Sequence, residues 1–239
     1  VKDATVADKV DEVTKDAMLE DFELGFELHD SGLWKRDLDV IASPAQGIRD
    51  IFDLSPTDGE EAWVNLVKRM NAVPETIDGY IRSLRLGIEA GDTPARRQVI
   101  MNIEQAEGIA AADGFFIKFA EGAKVDGSLK AEVEAAGRQA TAGYAKLAEF
   151  FKSELLPKAN NVDAIGRERY ALTSRKFLGA RIDLDETYEW GIEELARVTA
   201  EQNAVANEIK SGATVQEAIE VLNNDASRKL HSTEELQRW

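Results

Sequence analysis

Along most of the chain apolar residues recur three and four positions apart, and strict alternation is nearly absent. This pattern predicts helices rather than strands. The first helix is expected over about Thr5 to His29, with Val6, Val10, Val13, Ala17, Leu24 and Leu28 near one face, and Gly32 ending it. Ser43-Pro44 reads as a helix N-cap followed by proline at the first helical position. Thr57 to Glu60 has capping-box spacing, ahead of Trp63, Leu66, Val67 and Met70. Pro74 is expected to open a separate helix carrying Ile77, Tyr80, Ile81, Leu84 and Ile88. Thr93-Pro94 starts another, running to Phe119 with a bend near Gly114.

The strongest single element is Ser128 to Leu156. Leu129, Val133, Ala136, Ala140, Tyr144, Leu147 and Phe151 form a continuous stripe, and Pro157 stops it. At 1.5 Å per residue such a helix is about 40 Å long. Helices are then expected over about Asp163 to Leu178, from Asp183 or Asp185 to Lys210, and after Thr214. The second of these carries Tyr188, Ile192, Leu195, Val198 and Val205 on one face. Ser232 with Glu235 announces a last helix that is cut within two turns, which suggests that the natural chain continues. The expected fold is all-α: an irregular bundle with long antiparallel helices and little or no β-sheet. It forms one helical domain over residues 1–239, with a subdomain junction near 158–163.

Composition fits a packed bundle. Of 239 residues, 44% are hydrophobic and 31% charged. A chain of this length buries roughly 70–75% of its unfolded surface. No apolar run approaches the ~20 residues of a membrane span. The net charge of -16 repels phosphate backbones and argues against nucleic-acid partners. The basic cluster Arg167, Arg169, Arg175, Lys176 and Arg181 is expected to pair with Glu168, Asp183 and Asp185. The absence of cysteine removes disulfides, thiolate zinc sites and cysteine nucleophiles together.

Complete catalytic motifs are missing. The two histidines, His29 and His231, lack the one-turn spacing of a helical zinc site. His29 is expected to cap a helix end, and His231 to make local hydrogen bonds. No serine-hydrolase elbow and no phosphate-cradling loop occurs. Acid pairs such as Asp37/Asp39 and Glu193/Glu194 are frequent because acids are frequent. Asp183-Leu-Asp-Glu186 has the composition of a Mg²⁺ or Ca²⁺ site, but acids in a first helical turn equally serve to cap it. The stretch from Gly166 to Gly191 gathers arginines and aromatic side chains with polar tips. It reads either as a pocket wall for a carboxylate or peptide, with Tyr170 and Arg175 as the substrate-binding candidates, or as a helix junction tied by Arg–Glu pairs.

Several strings resemble the bacterial family called domain of unknown function 885. They include Glu27-Leu-His-Asp, Arg36-Asp-Leu-Asp-Val-Ile-Ala-Ser-Pro44 and Gln46-Gly-Ile-Arg-Asp-Ile-Phe-Asp-Leu54. Further on come Pro94-Ala-Arg-Arg-Gln98, Leu155-Leu-Pro157, Gly166-Arg-Glu-Arg-Tyr-Ala-Leu172 and Leu184-Asp-Glu-Thr-Tyr-Glu-Trp-Gly191. The resemblance runs in order over nearly the whole chain. It implies a helical fold and a relationship to gluzincin-type zinc metallopeptidases of more than twice this length. In those, a His-Glu pair followed by Pro-Gly-His-His lies in the C-terminal half, and nothing here matches it. No catalytic residue, no metal ligand and no cofactor therefore falls on this chain, and zinc is implied for the other half.

The resemblance thus implies an N-terminal helical segment that walls a substrate channel. Its partners would be the remaining half of the same protein and a peptide substrate. The competing expectation is a self-contained helical interaction domain without enzymatic activity. A segment separated from its other half should expose a large apolar patch, and a complete domain should not. A cytoplasmic location is favoured.

Overall fold

The computed structural model describes residues 1–239 and is all-α, as the periodicity predicts. The only β-type pairing is one isolated bridge between Ala95 and Asn160. The chain forms two compact units, Val1–Lys176 and Phe177–Trp239.

In the first unit the helices are α1 (Lys9–Asp30), α2 (Pro44–Asp50), α3 (Glu60–Glu89), α4 (Arg96–Ala110), α5 (Phe115–Glu121), α6 (Gly127–Phe150) and α7 (Arg167–Leu178), whose last residues cross the division. The core lies between α3 and α6. Trp63, Leu66, Met70, Ile77, Ile81 and Leu84 of α3 face Val133, Ala136, Ala140, Tyr144 and Leu147 of α6, all buried. These are the stripes the period of 3.6 predicts.

The two helices run parallel, not antiparallel as expected from the sequence. Pro74 and Ile77 stand at Gly143, Asp78 pairs with Lys146 at 2.5 Å, and Arg85 pairs with Glu154 at 2.6 Å, so both chains advance in the same direction. The helices α4 and α5 between them carry the chain back.

Pro74 does not open a new helix. It lies inside a single 30-residue α3. Proline removes one backbone hydrogen bond and costs roughly 3 kcal/mol in a helix interior. Packing against α6 outweighs that local cost, because most helical stability comes from tertiary burial of an apolar face. Gly143 permits the approach: a Cβ there would stand 3.3 Å from Pro74 Cα and 3.1 Å from Ile77 Cδ1.

Other boundaries follow their caps. Ser43 and Gln46 form the predicted capping box of α2. The Thr57 box does not form; α3 starts behind Gly59, whose φ of 84° suits glycine. The bend near Gly114 is a break between α4 and α5, where a Cβ would lie 2.2 Å from the Ile109 carbonyl oxygen. Beyond α6 the helix widens into a π turn, Phe151–Leu155, before Leu156–Lys158 and Pro157 end it. The stretch 158–163, expected as a junction, is tied back to α4. Asn160 N–H donates to the Pro94 carbonyl at 3.0 Å, and Thr93 Oγ1 donates to the Lys158 carbonyl at 2.8 Å.

In the second unit, α8 (Leu184–Ile209), α9 (Val215–Asn224) and α10 (Thr233–Arg238) each start on the predicted cap. Asp183 Oδ1 accepts from the N–H groups of Asp185 and Glu186. Thr214 forms a reciprocal box with Glu217, and Ser232 accepts from Glu235 N–H. Between α8 and α9 lies an apolar groove of about 410 Å³ lined by Val198, Val205, Ile209, Ile219 and Leu222.

Not every apolar stripe is covered. Of the residues expected on the inner face of α1, only Leu24 is buried, and Val10 is 72% exposed with Val13 open too; Phe22 and Phe26, outside that expected face, are also exposed. On α8 Tyr188 is 71% and Leu195 64% exposed, with Trp190 and Ile192 open beside them. No helix is long and apolar enough to cross a membrane.

Candidate functional site

In the first unit a cleft of about 580 Å³ opens where the end of α1, the 3-10 turn Leu33–Arg36, the loop after it, the start of α4 and α7 meet. This is within the usual size range of small-ligand sites. Its apolar wall comes from Leu28, Leu33, Trp34 and Leu38, with Pro94 and Ala95 opposite. The His29 ring stacks on Trp34 at 5.8 Å, with the planes 11° apart. His29 thus lies in the last turn of α1, as its expected capping position requires, but its ring serves the cleft.

The loop bearing Asp37 and Asp39 is held rigidly by its backbone. Tyr80, buried in α3, donates its hydroxyl to the Asp37 carbonyl at 2.6 Å. Burial holds that phenol above the usual tyrosine range, so it remains a donor. Asn102 Nδ2 donates to the Asp39 carbonyl at 2.8 Å, joined by Gln46 Nε2 at 3.1 Å, and Gln105 Nε2 donates to the Val40 carbonyl at 3.1 Å. Asp39 Oδ1 caps the N–H groups of Ile41 and Ala42.

The side chains around this loop differ in what remains free. Arg36 is spent on Asp92 at 2.8 Å, and Arg169 forks onto the same carboxylate. Asp163 is spent on Arg97. The Asp37 carboxylate carries no ion pair. Partial burial, and then the neighbouring Asp39 charge, hold its carboxyl above the ordinary aspartate range. Gln98 also lines the cleft, and its buried Oε1 has no hydrogen-bond partner. Lys176 lies on the rim and also lines a second cleft of about 550 Å³ with Phe22 and Phe26.

The substrate-binding candidates from the sequence part company. Arg175 is 5% exposed and gives its guanidinium to Glu20 and Glu27 of α1, the latter at 2.9 Å. Tyr170 is exposed on the same helix. Of the basic cluster expected to pair with Glu168, Asp183 and Asp185, Arg169 and Arg175 do otherwise. Instead Arg169 reaches Asp92 and Arg175 reaches Glu20 and Glu27, carboxylates far away in sequence, which no local spacing could reveal.

Since Arg175 is the one buried residue of α7, its fork is expected to anchor that helix. Arg175→Ala should raise amide exchange in α7 roughly tenfold, as hydrogen exchange by mass spectrometry would read. Arg175→Lys, which cannot fork, should fall in between. Unchanged exchange in both would mean that the ion pairs do not secure the helix.

The residues do not fit a zinc ion. His29 is stacked on Trp34, and no group of three or more His, Cys, Asp or Glu side chains is placed to hold a metal; His231 takes part through its backbone N–H, which donates to the Glu235 carboxylate. The acids at Asp183 act as a helix cap. The sequence pointed to none of Asp37, Gln98 or the His29–Trp34 stack as a site. Asp37/Asp39 was visible only as one acid pair among many.

The family described as "Bacterial protein of unknown function (DUF885)" matches residues 1–239. No curated protein matches the chain.

Proposed function

We propose that this chain, which belongs to the bacterial DUF885 family over its whole length, serves as the helical wall of a peptide channel whose hydrolytic chemistry resides in another part of the protein. The observation that carries this reading is the apolar surface left uncovered on α1 and α8. Val10, Val13, Phe22 and Phe26 on α1 face solvent, as do Tyr188, Trp190, Ile192 and Leu195 on α8. On α8, Tyr188, Ile192 and Leu195 share one side of the helix, and exposed apolar surface of this kind marks a protein contact. A self-contained interaction domain would have to leave the same side chains in water until a foreign partner arrived.

Within this reading zinc, its activated water and the base that serves it belong to the other half, because the side chains here cannot hold the ion. This chain contributes shape. Arg175 acts indirectly by fixing α7 to α1, and Tyr170 offers an exposed hydroxyl as a donor to substrate. Alanine substitution of Tyr170 in the full-length protein should lower turnover without unfolding; unchanged turnover would remove it.

The test of the reading itself is association. The 239-residue chain alone should bind 1-anilinonaphthalene-8-sulfonate with a fluorescence rise of several-fold, since the dye reports open apolar surface. Addition of the polypeptide carrying the zinc motif should displace the dye and form a 1:1 complex by size exclusion. A chain that neither binds the dye nor associates would refute the proposal.

A further inference from the structure

We infer that the groove between α8 and α9 receives a helix from a partner polypeptide, apolar along one stripe and rich in lysine or arginine beside it. This rests on the reading above that α8 is a contact surface, and it names the chemistry of the partner.

Leu195, Val198, Val205 and Ile209 of α8 fall on the two apolar positions of a seven-residue repeat, with Gln202 completing the series. Such a stripe is the seam of a helix–helix contact, and α9 covers only part of it. Ala206 and Ala218 are the buried residues of the two helices, so the pair closes over small side chains. The larger ones stay in water: Leu195 is 64%, Val205 53% and Ile219 43% exposed. The result is the trough of about 410 Å³ between the helices, with Val198, Val215 and Leu222 in its floor. An apolar trough between two helices is the shape that takes the apolar face of a third. From Leu195 to Ile209 the stripe is about 21 Å long, enough for roughly four turns of a partner.

Charge decides which helix fits. Together α8 and α9 carry nine Asp and Glu against a single base, Arg197, whereas the whole chain has 45 against 29. Glu194, Glu201 and Glu208 stand seven apart, each one position before a residue of the stripe, and so form a row along one bank. Arg197 is shared between Glu194 and Glu201, which leaves the row negative. Lys210, in the loop after α8, acts on Glu217. Glu201 is the one charged residue among those lining the groove. Positions flanking a seam choose the partner and its orientation. A second copy of this chain would set the acidic row against itself when antiparallel, and against Ile192, Thr199 and Ala206 when parallel. Neither arrangement supplies a cation. A basic amphipathic helix supplies both the apolar stripe and the missing charge.

The experiment titrates the 239-residue chain with three peptides of about 20 residues, long enough to hold a helix. The first carries Leu and Ile on the seam positions and Lys or Arg beside them. The second has Glu in place of Lys and Arg, and the third keeps the composition of the first with its apolar positions scrambled. Calorimetry gives the affinity, and the methyl resonances of Val205 and Ile219 give the place. The first peptide should bind and shift both methyls, and the other two should bind at least tenfold more weakly. Val205→Ser combined with Ile219→Ser, at two exposed sites, should weaken the first peptide at least tenfold with an unchanged melting temperature. Equal binding of the scrambled peptide or of the Glu peptide would overturn the inference, as would methyls unmoved at millimolar peptide. If the double variant melts early, the peptide comparison and the methyl shifts decide on the unaltered chain. Dimerisation of the chain that shifts the same methyls would give the groove to a second copy and overturn the inference too. If the zinc-bearing polypeptide fails to associate while the first peptide binds at the groove, the channel-wall reading falls and the groove stands. Association without binding of that peptide leaves the reading and removes the groove.

Discussion

Replacing Phe116 by alanine is expected to remove about 4 kcal/mol of stability from the first unit and to lower its melting temperature by roughly 10 °C. Phe116 is fully buried and sits at the centre of the aromatic cluster. Its ring meets Phe52 edge-on at 5.0 Å and lies 5.8 Å from Tyr144. Truncation removes the transfer energy of the ring and leaves a void bounded by rigid neighbours. Collapse is hindered because α5 already touches α6 backbone to backbone: a Cβ at Gly137 would stand 2.8 Å from the Phe116 carbonyl oxygen. Tyr144 suffers too, since its hydroxyl donates to the Ala45 carbonyl at 2.9 Å and its ring would lose a wall. Calorimetry checks the figure. A loss under about 1 kcal/mol would mean that the cluster is loosely packed.

Gly87→Ala is expected to destabilise by about 3 kcal/mol and to disturb the cleft, although alanine is the better helix former by roughly 1 kcal/mol. Gly87 lies in the last turns of α3 with ordinary helical backbone. An added Cβ would stand 2.4 Å from the Lys35 carbonyl oxygen and 2.8 Å from that of Asp92. Both are backbone atoms, so relief requires moving the 3-10 turn or the loop between α3 and α4. Those two segments carry Arg36 and Asp92, whose ion pair fixes one edge of the cleft. Gly79→Ala in the same helix is the control. Its Cβ would meet only the tip of Arg82, so stability should rise slightly. Denaturant unfolding of both variants gives the answer, and equal stabilisation by both would refute the close approach at Gly87.

Much of the candidate site stayed hidden in the sequence for an identifiable reason. Asp37 looks like any acid in a chain holding 45 of them. What singles it out is that Arg36, its neighbour in sequence, is turned toward Asp92, and that Gln98 is left without a donor. Neither fact has a spacing signature. Arg175 illustrates the converse. Its position in an arginine-rich helix was plain, and so was the choice between gripping substrate and gripping carboxylates. Only the placement of α1 beside α7, at sequence separations of 148 and 155, decided for Glu27 and Glu20.

The period of 3.6 and the cap residues determined by themselves that this protein is helical, and placed the starts of α2, α8, α9 and α10 at Ser43, Asp183, Thr214 and Ser232, because capping is satisfied within one turn. The tertiary structure alone decided that Pro74 stays inside α3, that α3 and α6 run parallel, and which stripes are covered. A stripe specifies a face but not its partner. The faces of α3 and α6 found each other, while those of α1 and α8 did not.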